Sequence, residues 1–308
     1  MSQDLRPETR DLRPETRDPR PKTKMKFGVV TPVLDGRARF RACAASVRAA
    51  AAALRGGEVL HFVRESAASR EPVEDYAAEY GCVYERAPDR GLYDAIAAGL
   101  DAACAAGCDA LAWLNADEQW LPDAPGHAQR VLESNASIGL VYGDYLLLGP
   151  DGSLRAARRE LPVRRPYLRN GVNYLLSCTV FFRRSVWEQS ARFDLSYSRL
   201  ADKKWYLGLL RSGVRAALVG RYYLGAYSMT GDNASLRPGA AEEQVRLRDE
   251  IGALSSPLAR RAIRALRVLD KAVHGCYFPD RIDAPLFAPD GTPLRVRGLA
   301  GPFWRWPR

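Results

Sequence analysis

From residue 25 the chain alternates short apolar runs with longer stretches in which Ala, Leu and Arg recur at helical spacing. MKFGVVTPV (25–33) is an apolar run of strand length. The Ala- and Arg-rich segment after it, about 37–54, reads as a helix closed by Gly56-Gly57. The pattern then repeats, with a strand near 58–64, a helix near 72–79 and a strand at 82–86. A helix from about 92 to 106, stopped by Gly107, leads to a strand at 110–114. Strands that alternate with helices predict βαβ units and a mostly parallel sheet. Beyond residue 121 the rhythm changes. IGLVYGDYLLL (138–148), the turn Gly149-Pro150-Asp151-Gly152 and residues 153–160 predict an antiparallel hairpin. A further apolar strand at 177–182, a helix near 201–212 and a strand at 215–219 complete an α/β reading. Its first half has a nucleotide-binding layout, and the second half reads as an addition built upon it.

Composition changes this picture mainly at the ends. Residues 1–24 repeat DLRPETR at 4–10 and 11–17 and hold almost no apolar side chains, which predicts a disordered leader outside the fold. Residues 25–235 then read as one domain and 236–308 as a basic, amphipathic C-terminal extension. No apolar run approaches the roughly 20 residues that span a bilayer, and the charged N-terminus has no signal-peptide core. The cysteines are scattered, and Cys104 and Cys108 lack the partners of a zinc set. These features predict a cytoplasmic protein with reduced thiols. The net charge of +10 is concentrated: residues 153–170 carry six arginines against the single acid Glu160. Such a patch suits anionic lipid or a phosphorylated substrate. Nucleic acid is not an expected partner, because the aromatic residues do not interleave with the basic clusters.

The candidate chemistry lies in ALAWLNADEQWL (110–121), where an apolar strand ends abruptly in Asn115-Ala116-Asp117-Glu118. In open α/β sheets ligands bind beyond the carboxyl ends of the strands. Carboxylate oxygens delivered there suit a divalent cation that also carries phosphate oxygens. Taken alone, the same residues also read as a strand followed by an Asp N-cap. His61, His127 and His274 are isolated and read as packing or surface residues. No GxSxG elbow, Walker loop or GxGxxG fingerprint occurs. Trp205-Tyr206 and Tyr222-Tyr223 read as core, with stacking on an acceptor ring as the alternative.

Four stretches, in order, resemble the family 2 glycosyltransferases of the GT-A fold, in particular bacterial polysaccharide-type members. VVTPVLDG (29–36) is similar to the family's first strand and nucleotide-contacting turn, with Thr31 and Pro32 at the contact. APDRGLYDAIAAGL (87–100) resembles the pattern PDxGxYDAxNxG, which places Asp89, Arg90 and Asp94 at the donor pocket. LAWLNADEQWLP (111–122) resembles the LNSDDxxxP segment, implying Asn115 and Ala116 beside the donor and Asp117 and Glu118 as metal ligands. VYGDY (141–145), TVFFRRSVWEQSARFD (179–194) and RLADKKWYLGLLRSG (199–213) resemble the acceptor-side half, in which Asp202 matches the catalytic base. The resemblance implies inverting transfer from a nucleotide-diphosphate sugar, a UDP-sugar first among them, with Mg²⁺ or Mn²⁺. The implied acceptor is a glycan or a lipid-linked molecule.

The sequence also departs from the family pattern. Val63-Arg64-Glu65-Ser66 stands where an Asp-Gly pair holds the nucleotide base, leaving Glu65 as the substitute. Glu118 replaces an Asp, Ala97 replaces an Asn, and Lys204 and Gly208 replace an Asp and an Arg. These changes leave a catalytically degenerate sugar-nucleotide or glycan-binding protein as the alternative. Residues 257–275 are amphipathic at helical spacing, with Leu258, Ala262, Leu266, Leu269 and Val273 on one face and arginines elsewhere. They read either as a helix packed on the domain with a solvated basic face, or as an attachment to an anionic membrane surface on its inner side. The final Phe303-Trp304-Arg305-Trp306 reads as an interfacial anchor or a cap on the core.

Overall fold

The computed structural model describes residues 24–171, 173–229, 239–278 and 280–300. The repeated leader and the terminal aromatic cluster lie outside them. The first half forms β1 (Met25–Val33), α1 (Arg37–Ala53), β2 (Gly57–Ser66), α2 (Glu74–Glu79), β3 (Val83–Ala87), α3 (Leu92–Ala105) and β4 (Ala110–Trp113). Strands β3, β2, β1 and β4 lie side by side in that order and are parallel, as the alternation of elements predicts. The second half begins with β5 (Glu118–Trp120), α4 (Ala124–Ser134), β6 (Ile138–Leu148), β7 (Leu154–Arg158) and α5 (Arg165–Asn170). A 3₁₀ turn (Ser177–Thr179), β8 (Phe181–Arg183), α6 (Arg184–Gln189), α7 (Ala201–Arg211) and β9 (Arg215–Ser228) follow. Its strands continue the same sheet as β4-β8-β6-β9-β5, with β7 antiparallel to β6.

Period-two alternation divides the core between the two faces of this sheet. On β4, Leu111 and Trp113 face a cluster rich in aromatic rings, whereas Ala110, Ala112 and Leu114 face α1 and α4. Trp113 stacks on Tyr206 with ring centroids 5.9 Å apart and meets Trp205 edge-on at 6.1 Å. Trp205 and Tyr206 are therefore core residues. Tyr222 is exposed and lies against His127.

Three elements depart from the sequence reading. The strand expected at 215–219 runs on to Ser228. Gly220-Arg221 forms a bulge within it: Arg221 has φ +67° and the pairing with β6 shifts register beside Asp144. The Asp144 carboxylate accepts the Glu160 and Arg221 backbone N–H groups at 2.8 and 3.0 Å, so one side chain holds the irregularity in place. The C-terminal extension contains α8 (Ala240–Glu250), α9 (Pro257–Val273) and a hairpin of β10 (Asp280–Phe287) and β11 (Pro293–Ala300) that the sequence did not suggest. Ile282, Ala284, Leu286 and Val296 of the hairpin pack on Leu146, Leu148 and Ala226. The Gln119 amide pairs with both backbone groups of Phe287 at 2.9 Å.

The third departure is α9 itself. Of the two readings of this segment, the one that packs the helix with its basic face in water does not hold, because the helix docks by its charged stripe. Arg267 and Lys271 reach the buried Glu160 carboxylate at 2.9 and 3.1 Å, and Asp270 pairs with Arg164 at 2.7 Å. A charge this deeply buried is tolerable only when it is paired.

Close packing of α3 on β1 sets the cleft described below. A Cβ at Gly99 would lie 2.3 Å from a Val30 methyl and 3.0 Å from the Arg64 stem. Gly99→Ala is expected to destabilise the fold by about 1–3 kcal/mol through overpacking, read as a lowered urea midpoint with an unchanged slope.

Candidate functional site

The carboxyl ends of β1 and β4 and the start of α3 enclose a cleft of about 600 Å³, a size that suits a small-molecule ligand. Pro32, Asp89, Gly91, Asn115, Ala116 and Asp117 line it. A smaller recess of about 350 Å³ adjoins it, sharing Asp89 and adding Glu65, Arg90 and Asp94. Eight of the eleven residues singled out in the sequence line the cleft or the recess, and Asp202 lines neither, being hydrogen-bonded to Tyr93 behind them. The remaining two, Thr31 and Glu118, point away.

Thr31 is fully buried, and its hydroxyl meets His61 Nε2 at 2.8 Å. It therefore belongs to the packing of β1 on β2, and the expectation of a donor contact from its side chain is corrected. Burial drives the His61 imidazole down to about 3, which keeps it neutral. His61 is thus a core histidine, also touching Cys82 Sγ at 3.4 Å.

Glu118 is the second correction. It is only 1% exposed, and its carboxylate accepts the Ser177 hydroxyl at 2.6 and 2.8 Å and the Asn115 backbone N–H at 2.9 Å. The longer arm that replaces an Asp here carries the carboxylate into the wall, where it ties the end of β4 to the 3₁₀ turn. Burial, with the neighbouring Asp117 charge, pushes its carboxyl up to about 8. Asp117 stays in the cleft. No side chain among the described residues hydrogen-bonds to it, and burial raises its carboxyl above the ordinary value while Arg39 partly offsets this.

The start of α3 is a braced turn. Asp89 accepts the Gly91 N–H at 2.8 Å; Arg90 pairs with Asp94 one turn later at 2.8 Å. The residue before the helix is Gly91 at φ +117°, in the left-handed region that favours glycine, so Asp89 shapes the turn without capping the helix directly. Glu65 is buried at the head of the recess. Its Oε2 accepts the Tyr84 hydroxyl at 2.5 Å and the Val73 N–H at 3.2 Å, while Oε1 has no partner among the described residues.

Asp202 sits in the first turn of α7, three residues beyond Arg199 on the cleft wall. Its oxygens accept from the Tyr93 hydroxyl at 3.0 Å and the Asn173 amide at 3.1 Å. Burial raises its carboxyl to about 6, against the opposing pull of the Lys203 backbone N–H and the Tyr93 hydroxyl. Tyr93, Asn173, Arg39 and Arg199 were not singled out in the sequence. Arg39 left a signal: α1 opens with basic residues and no acid in its first turn, against the helix dipole.

The sequence matches no family model and no curated protein. Solved structures do match. Residues 1–349 of S. aureus TarS superpose with a TM-score of 0.54 at 11% identity, over 78% of this chain and 69% of that one. The fold is that of the GT-A glycosyltransferases. TarS in complex with UDP-GlcNAc matches at 0.53 and 12% identity, over 78% of this chain and 70% of that one. The mannosyltransferase PcManGT from Pyrobaculum calidifontis, in complex with GDP-Man and Mn²⁺, matches at 0.50 and 13%, over 80% and 75%. In this GT-A architecture the Asn115–Glu118 turn lies at the carboxyl end of a central parallel strand. The Ser177–Glu118 contact ties that turn to the second half of the sheet.

Ser177→Ala would leave a buried carboxylate short of a donor, and is expected to lower stability by about 1–3 kcal/mol. Equilibrium unfolding in urea checks this.

Proposed function

We propose that the protein transfers a sugar from a nucleotide-diphosphate donor to a hydroxyl of a glycan or lipid-linked acceptor, with inversion at the transferred carbon. The observation that carries the reading is the unpaired Asp117 carboxylate in a cleft at the carboxyl ends of β1 and β4, with Glu65 at one side and Asp202 beyond Arg199 on the wall. The neighbours whose fold it shares bind UDP-GlcNAc and GDP-Man, which supports the substrate class.

Among the described residues no three His, Cys, Asp or Glu side chains gather into a metal site. A cation held by one carboxylate and substrate phosphates needs no such cluster, and a half-buried, unpaired Asp117 fits that role. Glu118 does not, since both its oxygens are engaged within the wall. A bound Mg²⁺ or Mn²⁺ would offset the negative charge that grows on the departing diphosphate. Arg39 and Arg199, on the cleft wall, add positive potential for the same phosphates. Glu65 offers a single free acceptor oxygen to the nucleotide base. That matches the one N–H of a uracil edge better than the paired donors of guanine, and favours a UDP-sugar. Asp202 takes the proton of the attacking hydroxyl as the new glycosidic bond forms and the bond to the diphosphate breaks. Tyr93 and Asn173 hold it in place.

UDP with Mn²⁺ is expected to raise the melting temperature, with about 2.7 kcal/mol of stabilisation at a hundred times the dissociation constant. GDP and CMP should do less, and Asp117→Ala should abolish the metal-dependent part. Stabilisation without donor turnover would establish the binding-protein reading, which the inward turn of Glu118 favours by leaving Asp117 as the one member of the Asp117–Glu118 pair in the cleft.

Asp202→Asn is expected to cut turnover about 10²–10⁴-fold, the usual scale of general-base catalysis, while nucleotide binding is retained. A base must be deprotonated to act. With the Asp202 carboxyl raised to about 6, the rate should be flat above that pH and fall as pH drops through it; a pH–rate profile of wild type tests the sign.

A further inference from the structure

Helix α9 presents the molecule's longest continuous run of exposed apolar side chains within one described helix. Leu258 is 75% exposed, Leu266 52%, Leu269 60% and Val273 76%, with Phe278 just beyond at 71%. At 100° per residue these helical positions, with Ala262, Ala265 and Ala272, share one arc of the wheel. From Leu258 to Val273 the stripe is about 22 Å long at 1.5 Å per residue. The opposite arc is the one that docks. There Arg267 and Lys271 hold Glu160, and Asp270 holds Arg164, so the helix is pinned to the body by charge with its apolar side outward. A soluble surface helix has the reverse arrangement.

The flanks of the stripe show what covers it. Arg261 borders it, exposed and with no ion pair or hydrogen bond among the described residues. The helix's one acid, Asp270, is turned inward and paired, so the outward arc carries positive charge only. An apolar ridge edged by an unneutralised guanidinium matches acyl chains below anionic headgroups. A second copy on the same face would bring like-charged arginines together, which disfavours a two-fold contact.

We propose that α9 lies flat in an anionic membrane surface, with Leu258, Leu266, Leu269 and Val273 inserted at the acyl boundary and Arg261 on lipid phosphates. This does not depend on the sugar-transfer reading. The ion pairs of Glu160 fix the orientation of the helix before it meets lipid, so binding needs no refolding of the body. Its presence would hold the cleft at a constant attitude to the bilayer.

The test is co-sedimentation of the full chain with vesicles of phosphatidylcholine alone, or of phosphatidylcholine mixed with phosphatidylglycerol. Binding is expected only to the mixed vesicles, and should weaken as salt is raised. Leu269→Glu should weaken it roughly 10- to 100-fold, the loss of one buried leucine. Arg261→Gln should cost roughly fivefold. Because these side chains are exposed, the melting temperature of each variant should match wild type, which separates lost binding from lost folding. The proposal is overturned if the chain ignores both vesicles, or if Leu269→Glu leaves binding unchanged. Light scattering that shows a dimer which Leu269→Glu dissociates, without vesicle binding, would assign the face to self-association instead.

Discussion

One buried carboxylate holds the two halves of this molecule in register. Glu118 receives the Asn115 backbone N–H from the end of β4 and the Ser177 hydroxyl from the turn before β8, while its own strand pairs with β9. The all-parallel half ends at β4, and the mixed half, antiparallel except for the β6–β9 pair, begins there. A carboxylate withdrawn from water is costly unless each oxygen has a donor. The donors at Glu118 come from segments 62 residues apart in sequence, Asn115 and Ser177. The position of Asp117 in the cleft is a consequence: with Glu118 committed to the wall, the turn can place only its neighbour toward a ligand.

Glu160 plays a comparable part at the other end. Its carboxylate draws in Arg267 and Lys271, and its backbone N–H is held by Asp144, which also holds the β9 bulge. The hairpin β6–β7, the bulged strand β9 and helix α9 are thus coupled through two acids. Breaking either leaves charges or N–H groups buried without partners. The energetic weight of the second half rests on such paired polar contacts as well as on the aromatic cluster around Trp113.

The alternation of strands and helices in residues 25–114 was legible because each element buries a face with its own period, two for strands and near 3.6 for helices. The acidic turn after β4 was legible for a related reason, since polar residues that interrupt an apolar strand have to face water or a ligand. Glu65, Asp89, Arg90, Asp94, Asn115, Ala116, Asp117 and Pro32 all fell in one region accordingly. Thr31 and Glu118 were misassigned because sequence gives a residue's place in a strand but not which side of the turn its side chain takes. The hairpin β10–β11 was missed because its residues alternate among arginines and prolines, and its apolar positions make sense only against the Leu146–Leu148 edge of β6.

What the sequence by itself determined is the class of the fold, the order of its elements and the neighbourhood of the cleft. These follow from hydrophobic periodicity and local turn chemistry, which act over a few residues. The tertiary structure decided which carboxylate faces the ligand, which backbone groups brace it and which stripe of α9 is buried. Each of those outcomes is set by a partner distant in the chain: Ser177 for Glu118, Tyr93 and Asn173 for Asp202, Glu160 for Arg267 and Lys271. An amphipathic pattern specifies two faces, and only the charge waiting on the body chooses between them.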